Sequence, residues 1–362
     1  MRTIFLTFTI NNSSMTDYYL TLSQKLASEF CVVVVTDRIE PHFFTIDERI
    51  IITKWPSARP THWRDFKFLM GLIKQYKPSV MISMFGSVNI FLLAGLFSGI
   101  PHRLVWYHTI STATNSTPLL HIRKKLIYRL ASGFIANSKS TVVDLQQAFG
   151  IPKRKIMLSY NAVRDGKRLP VNQPPEIVYV GRLHKSKGID VLLDAMPAVL
   201  AEFPEVRLHL YGGYLDGNAI KPYLNQVEQL QIGDNVKFFG NRPKEEIMEA
   251  FAKSYASVLP SFFEAFGYVV IESFSVGTPV IGSNTSGIAE IIRDGIDGML
   301  FEPGNSAQLS QKIIHLLSDP KLREDFSVNC YQRFSADFEV GAVTAKVAEF
   351  IGSLDRKDPK NL

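Results

Sequence analysis

The chain has 362 residues, 46% hydrophobic and 20% charged, a size and balance that suit two soluble α/β domains better than one core. Its two cysteines, Cys31 and Cys330, stand far apart in no ligand or redox spacing, which excludes a disulfide framework and a cysteine metal site. The net charge of +6 is unevenly spread: residues 1–170 hold 22 Lys and Arg against 9 Asp and Glu, and residues 171–362 hold 18 against 25. So basic a first half points to an anionic partner, whether lipid headgroups, a phosphorylated substrate or nucleic acid, the alternative being ordinary solvated surface charge.

In chain order, the opening MRTIFLTFTI is too short for a secretion signal and reads as a first buried strand. The runs CVVVVT, RIIIT, SVMISMF, RLVWYH, GFIAN and KIMLSY follow, then IVYVG, VRLHLYG, VKFFG, ASVLP and PVIGS in the second half. Most are rich in β-branched residues without strict alternation, as strands buried on both faces of a parallel sheet would be. Helical patterns lie between them, among them residues 17–30, 63–76, 190–202 and 245–253. The longest apolar run, residues 88–100, falls short of the roughly 20 residues that cross a membrane, so no transmembrane helix is expected.

Strand and helix alternate as in doubly wound α/β layers, and the proline-rich stretch 164–176 falls where the charge balance flips. The expected fold class is therefore α/β, with two Rossmann-like domains facing each other across a cleft. Their bounds would be residues 1–168 and 174–335, and ligands would bind beyond the carboxyl ends of the strands.

Two segments carry chemistry. In IVYVGRLHKSKGIDVLL a strand ends at Gly181, and Arg182 and Lys187 precede a helix opened by Gly188. Two cations beside a free helix N-terminus suit a diphosphate, although a charged surface loop would look the same. No G-x-G-x-x-G or Walker A pattern is present, which argues against a dinucleotide oxidoreductase and a P-loop ATPase. In SVLPSFFEAFGYVVIESFSVGTPVIGS, Glu264 precedes a helix starting near Phe266 and Gly267, and Glu272 lies inside it. The two carboxylates would reach different parts of one extended ligand, with amides at Ala265, Phe266 and Gly267 as donors.

The segment EAFGYVVIE followed by SVGTPVIGSNTSGIAEII resembles the Glu-x7-Glu motif of the family 4 (group 1) retaining glycosyltransferases, which have the GT-B fold. GRL and KSKG upstream match that family's Arg and Lys pair. The resemblance covers residues 176–305 well and the first half in outline. It implies that Arg182 and Lys187 bind the donor diphosphate, that Glu264 and the amides of Phe266 and Gly267 hold the transferred sugar, and that Glu272 holds the ribose. Gly181, Gly212, Phe239, Gly240, Ala265 and Tyr268 would complete the donor site, and Gly287 and Glu290 match another loop. Ser13 and Ser14 stand where the family has a Gly-Gly turn, and His108 resembles its acceptor-side histidine. Helix 338–354 would cross back onto the first domain.

The implied reaction is retaining transfer of a hexose or N-acetylhexosamine from a nucleotide sugar, with UDP the favoured carrier. Substitution on one face would let the departing diphosphate take the acceptor proton. No Asp-x-Asp pair is present, so no cofactor or required metal is expected. Residues 121–134 and 53–77 interleave cations with apolar and aromatic side chains, a pattern either of domain helices or of a membrane surface. With the basic first half this predicts cytoplasmic docking on the inner membrane face and a polyprenyl-diphosphate-linked or glycan acceptor. Nothing resembles a nucleic-acid-binding motif, and no nucleic-acid partner is expected. A nucleotide-sugar epimerase or a non-catalytic sugar-nucleotide-binding protein are the alternatives.

Overall fold

The computed structural model describes residues 2–40, 46–58, 62–111, 117–213 and 219–354; residues 59–61 of the segment 53–77 and Thr112 beyond His108 lie outside them. The chain divides into two compact units, Met1–Ala162 with Val340–Leu362, and Val163–Glu339.

In the first unit β1 (Arg2–Thr7), β2 (Phe30–Thr36), β3 (Ile50–Lys54), β4 (Val80–Met84), β5 (His102–Tyr107), β6 (Gly133–Ala136) and β7 (Ile156–Leu158) form one parallel sheet. Its order is β3-β2-β1-β4-β5-β6-β7. Helices α1 (Ser14–Leu26), α2 (Trp63–Tyr76), α3 (Val88–Phe97), α4 (Pro118–Tyr128) and α5 (Lys139–Gln147) connect the strands. Neighbouring strand residues point to opposite faces, so both faces must be apolar. Ile4, Leu6, Val32 and Val34 pack with Tyr18 and Leu22 of α1. Phe5, Val33 and Met81 pack on the other side with Leu69 of α2 and Phe91 of α3.

The second unit has the same design. β8 (Glu176–Val180), β9 (Arg207–Tyr211), β10 (Val236–Gly240), β11 (Ala256–Leu259), β12 (Val280–Ser283) and β13 (Gly298–Phe301) form a parallel sheet in the order β10-β9-β8-β11-β12-β13. Around it lie α6 (Ile189–Glu202), α7 (Lys221–Gln229), α8 (Lys244–Lys253), α9 (Tyr268–Ser275), α10 (Ser286–Ile291), α11 (Ser306–Ser318) and α12 (Pro320–Asp337). Both units are thus Rossmann-like. Each sheet reverses its winding once, at β1/β4 and at β8/β11, and a crevice opens beyond the strand ends at such a point.

Two helices differ from the pattern-based reading. α1 starts at Ser14 and not Asp17, because the Ser13 hydroxyl accepts the Thr16 amide and caps it. The basic helix expected over 121–134 is α4, which starts after the Thr117 cap and stops at Tyr128. Residues 133–136 are drawn off to pair with β5.

The last helix, α13 (Val340–Leu354), belongs to the first unit. Val340, Val343, Val347, Ile351 and Leu354 recur every three or four residues and are buried in the core that α1 shares. Trp55, Trp63 and Trp106, the three tryptophans, also lie in this unit. Ile351→Ala should therefore lower the first unit's unfolding free energy by about 2–5 kcal/mol, read as an earlier urea transition in tryptophan fluorescence. An unchanged midpoint would detach α13 from that core.

Candidate active site

At the β8/β11 reversal, glycines set how closely the strand ends approach. Gly188 caps α6 at φ +65°, and a Cβ on it would lie 2.1 Å from the Pro260 carbonyl oxygen. Gly212, at φ +139°, would bring a Cβ to 1.9 Å from the Gly181 carbonyl oxygen. No other residue type meets both the positive φ and the missing space. The Gly181 amide donates to the Tyr211 carbonyl and the Gly212 amide to the Gly240 carbonyl, each at 2.9 Å. Gly181, Gly212 and Gly240 are thereby lined up across the ends of β8, β9 and β10.

This approach brings Lys187 to Glu264: the ammonium lies 2.5 Å from a carboxylate oxygen, with the side chains 17% and 21% exposed. Sequence reasoning assigned these residues to different parts of a ligand and did not foresee their pairing. Arg182 is exposed just beyond β8. The Glu264 carbonyl accepts from the Gly287 amide at 3.0 Å and the Ser286 hydroxyl at 2.7 Å. A Cβ on Gly287 would fall 2.5 Å from the nitrogen and Cα of Phe266, so the start of α10 lies against the loop through Ala265. Phe266 is buried, Gly267 turns at φ +103° into α9, and Tyr268 sits edge-on to the Phe266 ring. Glu272 follows one turn later, half-buried, and Glu290 is half-buried in α10.

Phe239 is placed differently. Its ring stacks on Tyr211 at 4.5 Å and stands edge-on to His209. It lines a pocket of about 390 Å³ with Glu176, Arg242 and residues of α8. Gly240, not the Phe239 ring, is the member of that pair in the glycine line.

In the first unit Ser13 has an extended backbone, φ −149°, and its hydroxyl donates to the Asn11 side-chain oxygen at 2.6 Å. Ser14 is buried as the first residue of α1. This turn has no positive φ, so serine fits where a glycine pair was the comparison.

His108 lies just beyond β5. Its Nε2 is 2.7 Å from the Tyr19 hydroxyl and its Nδ1 is 3.4 Å from Asn137 Nδ2. The Asn137 oxygen accepts from Thr141, so its amide nitrogen faces the ring, Nδ1 accepts, and Nε2–H donates to Tyr19. Phe85, 55% exposed, stacks on the imidazole at 5.0 Å from a backbone with φ +50°, an unusual conformation for a bulky residue. A pocket of about 530 Å³ at the ends of β1 and β4 is lined by Thr7, Asp37, Phe85, Asn89, Arg123 and Lys124 among others. The sequence reading gave Phe85 no role. The available signal was an aromatic and Gly86 directly after a buried strand.

Burial pushes the His108 imidazole down to about 3 from an ordinary 6.5. Below pH 6.5 the unfolded chain takes a proton that folded His108 refuses until about pH 3. This group's contribution to stability is therefore intact above pH 6.5 and lost as pH falls toward 3. Proton–carbon NMR should show a neutral His108 ring, protonated at Nε2, from pH 8 to pH 5. A midpoint near 6.5 would contradict this placement.

Among the described residues, no cluster of three or more His, Cys, Asp or Glu side chains could hold a metal ion, and no helix is long and apolar enough to cross a membrane. The family model described as Glycosyltransferase Family 4 matches residues 15–166, and the one described as Glycosyl transferases group 1 matches residues 164–333. A glycogen synthase of Mycobacterium tuberculosis is 26% identical over 235 residues, 64% of this chain and 56% of that protein. A D-inositol 3-phosphate glycosyltransferase of Thermobispora bispora is 31% identical over 242 residues, 61% of this chain and 55% of that protein. The chain thus spans a little over half the length of these relatives. The Anabaena protein HepE, solved in complex with UDP, superposes with a TM-score of 0.81 at 19% identity, over 98% of this chain and 100% of that one. Two matched halves, two Rossmann-like units and a Glu-x7-Glu helix start meet in one chain, which belongs to the family 4, group 1 glycosyltransferases of the GT-B fold.

Proposed function

We propose that the chain transfers a hexose or N-acetylhexosamine from a UDP-sugar to a lipid-linked or glycan acceptor, retaining the anomeric configuration and needing no metal. The observation that carries this reading is the Lys187–Glu264 pair beside exposed Arg182, at the reversal of the second sheet. An entering diphosphate would replace the carboxylate as the partner of Lys187 and gain the Arg182 fork. Glu264, released, would accept hydrogen bonds from the sugar hydroxyls beside the amides of Phe266 and Gly267. Glu272 would hold the ribose, and Gly181, Gly212 and Gly240 would let the backbone approach the nucleotide. UDP is favoured because the similar HepE structure contains it.

In the proposed step the bond between the anomeric carbon and the diphosphate oxygen breaks. The acceptor oxygen bonds to that carbon on the same face, and its proton passes to the departing phosphate oxygen. The two cations stabilise the charge that develops there, and because the departing phosphate oxygen itself takes the proton, no general base from the protein is required. His108, neutral and with both nitrogens engaged, would shape the acceptor pocket instead of moving a proton.

The first unit supports an acceptor at a membrane surface. Only Tyr128 of α4 is buried. Leu119, Ile122 and Leu126 are exposed along one stripe, and Arg123, Lys125 and Arg129 flank them. This is the pattern of a helix that docks on anionic lipid, here the inner face of the membrane.

Purified protein offered UDP-, GDP- and ADP-sugars should bind and slowly hydrolyse a UDP-sugar, equally well with and without EDTA. With acceptor, the product should keep the donor's anomeric configuration by NMR. Lys187→Ala should lower the rate by about 10²–10³-fold. No binding of any donor would end the reading.

A further inference from the structure

We infer that the acceptor is a single amphiphile, its anionic head at Arg123 and Lys124 and its hydrocarbon chain in the groove between α2 and α3. This rests on the reading of the first unit as the acceptor half. Next to the 530 Å³ pocket lies a second of about 780 Å³, lined by Trp63, Phe66 and Met70 of α2 and by Leu93 and Phe97 of α3. The two share Gly86, Asn89 and Arg123. The two cavities therefore adjoin, and a cation stands at the join. Both volumes fall in the range of about 300–1,000 Å³ typical of small-ligand sites.

The two ends differ in chemistry. At the first, Arg123 and Lys124 face one carboxylate, Asp37, which already accepts from the Thr9 hydroxyl at 2.7 Å. At the second, Trp63 and Phe97 are 67% and 72% exposed. The Trp63 ring stacks on Phe66 at 5.2 Å, and Phe97 stands edge-on to Phe66 at 6.3 Å. An aromatic floor left this open, leading to a cationic pocket, matches a ligand that is apolar along its length and anionic at one end. A flat bilayer would meet a convex stripe such as that of α4. It would not fill a groove that runs into a polar pocket.

The test uses the full chain and three probes below their micelle concentrations: farnesyl diphosphate, inorganic pyrophosphate and farnesol. Calorimetry and tryptophan emission follow binding, since Trp63 lies in the groove. Farnesyl diphosphate should bind at least about tenfold more tightly than pyrophosphate and alter the emission. Phe97→Gln, at an exposed position that leaves the core intact, should remove this advantage and leave pyrophosphate binding unchanged. Arg123→Ala should weaken both diphosphates and spare farnesol. Equal affinities for farnesyl diphosphate and pyrophosphate would overturn the inference, as would a neutral Phe97→Gln. So would loss of phosphatidylglycerol-vesicle binding, or of self-association, in Phe97→Gln with farnesyl diphosphate binding intact. UDP binding is measured on the same samples. If UDP binds and no amphiphile does, this inference alone fails; if neither UDP nor a UDP-sugar binds, the functional reading beneath it fails.

Discussion

The contact between Gly188 and the Pro260 carbonyl is the constraint on which the second unit's site depends. Where a parallel sheet reverses its winding, the two strands on either side of the reversal send their chains to opposite faces, and nothing in the sheet itself closes the gap. Here α6 begins on a residue with no side chain, so its first turn lies directly on the segment leaving β11. Lys187 precedes that glycine by one residue and Glu264 follows Pro260 by four. The backbone approach is what places a cation and an anion from opposite sides of the reversal within 2.5 Å.

Ion pairing of two partly buried groups contributes little net stability, since each loses water to gain the other. Its consequence is order. Lys187 and Glu264 hold each other at the strand ends, and the Glu264 main chain is fixed separately by Ser286 and Gly287. A ligand with an anionic part and a hydroxylated part can exchange both partners at once, meeting charges that are already aligned. In the first unit the corresponding reversal is lined by Phe85 on its left-handed backbone, and that ring stacks on a His108 ring held between Tyr19 and Asn137.

Much of this was legible in the sequence, for physical reasons. Strands buried on both faces must be apolar throughout, and the runs from IFLTFTI to PVIGS stand out on that account. Helix 63–76 coincides with α2 because its apolar spacing is regular. β13 went unread because GMLF, unlike the runs that were read, holds no β-branched residue. Lys187 and Glu264 are 77 residues apart, so their pairing exists only once α6 meets β11. The apolar stripe of α4 was visible as a pattern, but periodicity alone does not say whether such a stripe faces a core or solvent. Phe85 was passed over because its positive φ leaves no mark in composition, and an aromatic and a glycine after a buried strand were the only signal.

The central claim is that Lys187 serves the diphosphate and Glu264 the sugar, although the two are paired with each other in the structure. Equilibrium binding of UDP, which carries the diphosphate and ribose but not the transferred sugar, separates the roles. The account predicts that Lys187→Ala weakens UDP binding by at least about tenfold, while Glu264→Ala leaves it unchanged or tighter because the lysine is set free. Equal weakening in both variants, or weakening in Glu264→Ala alone, would contradict it.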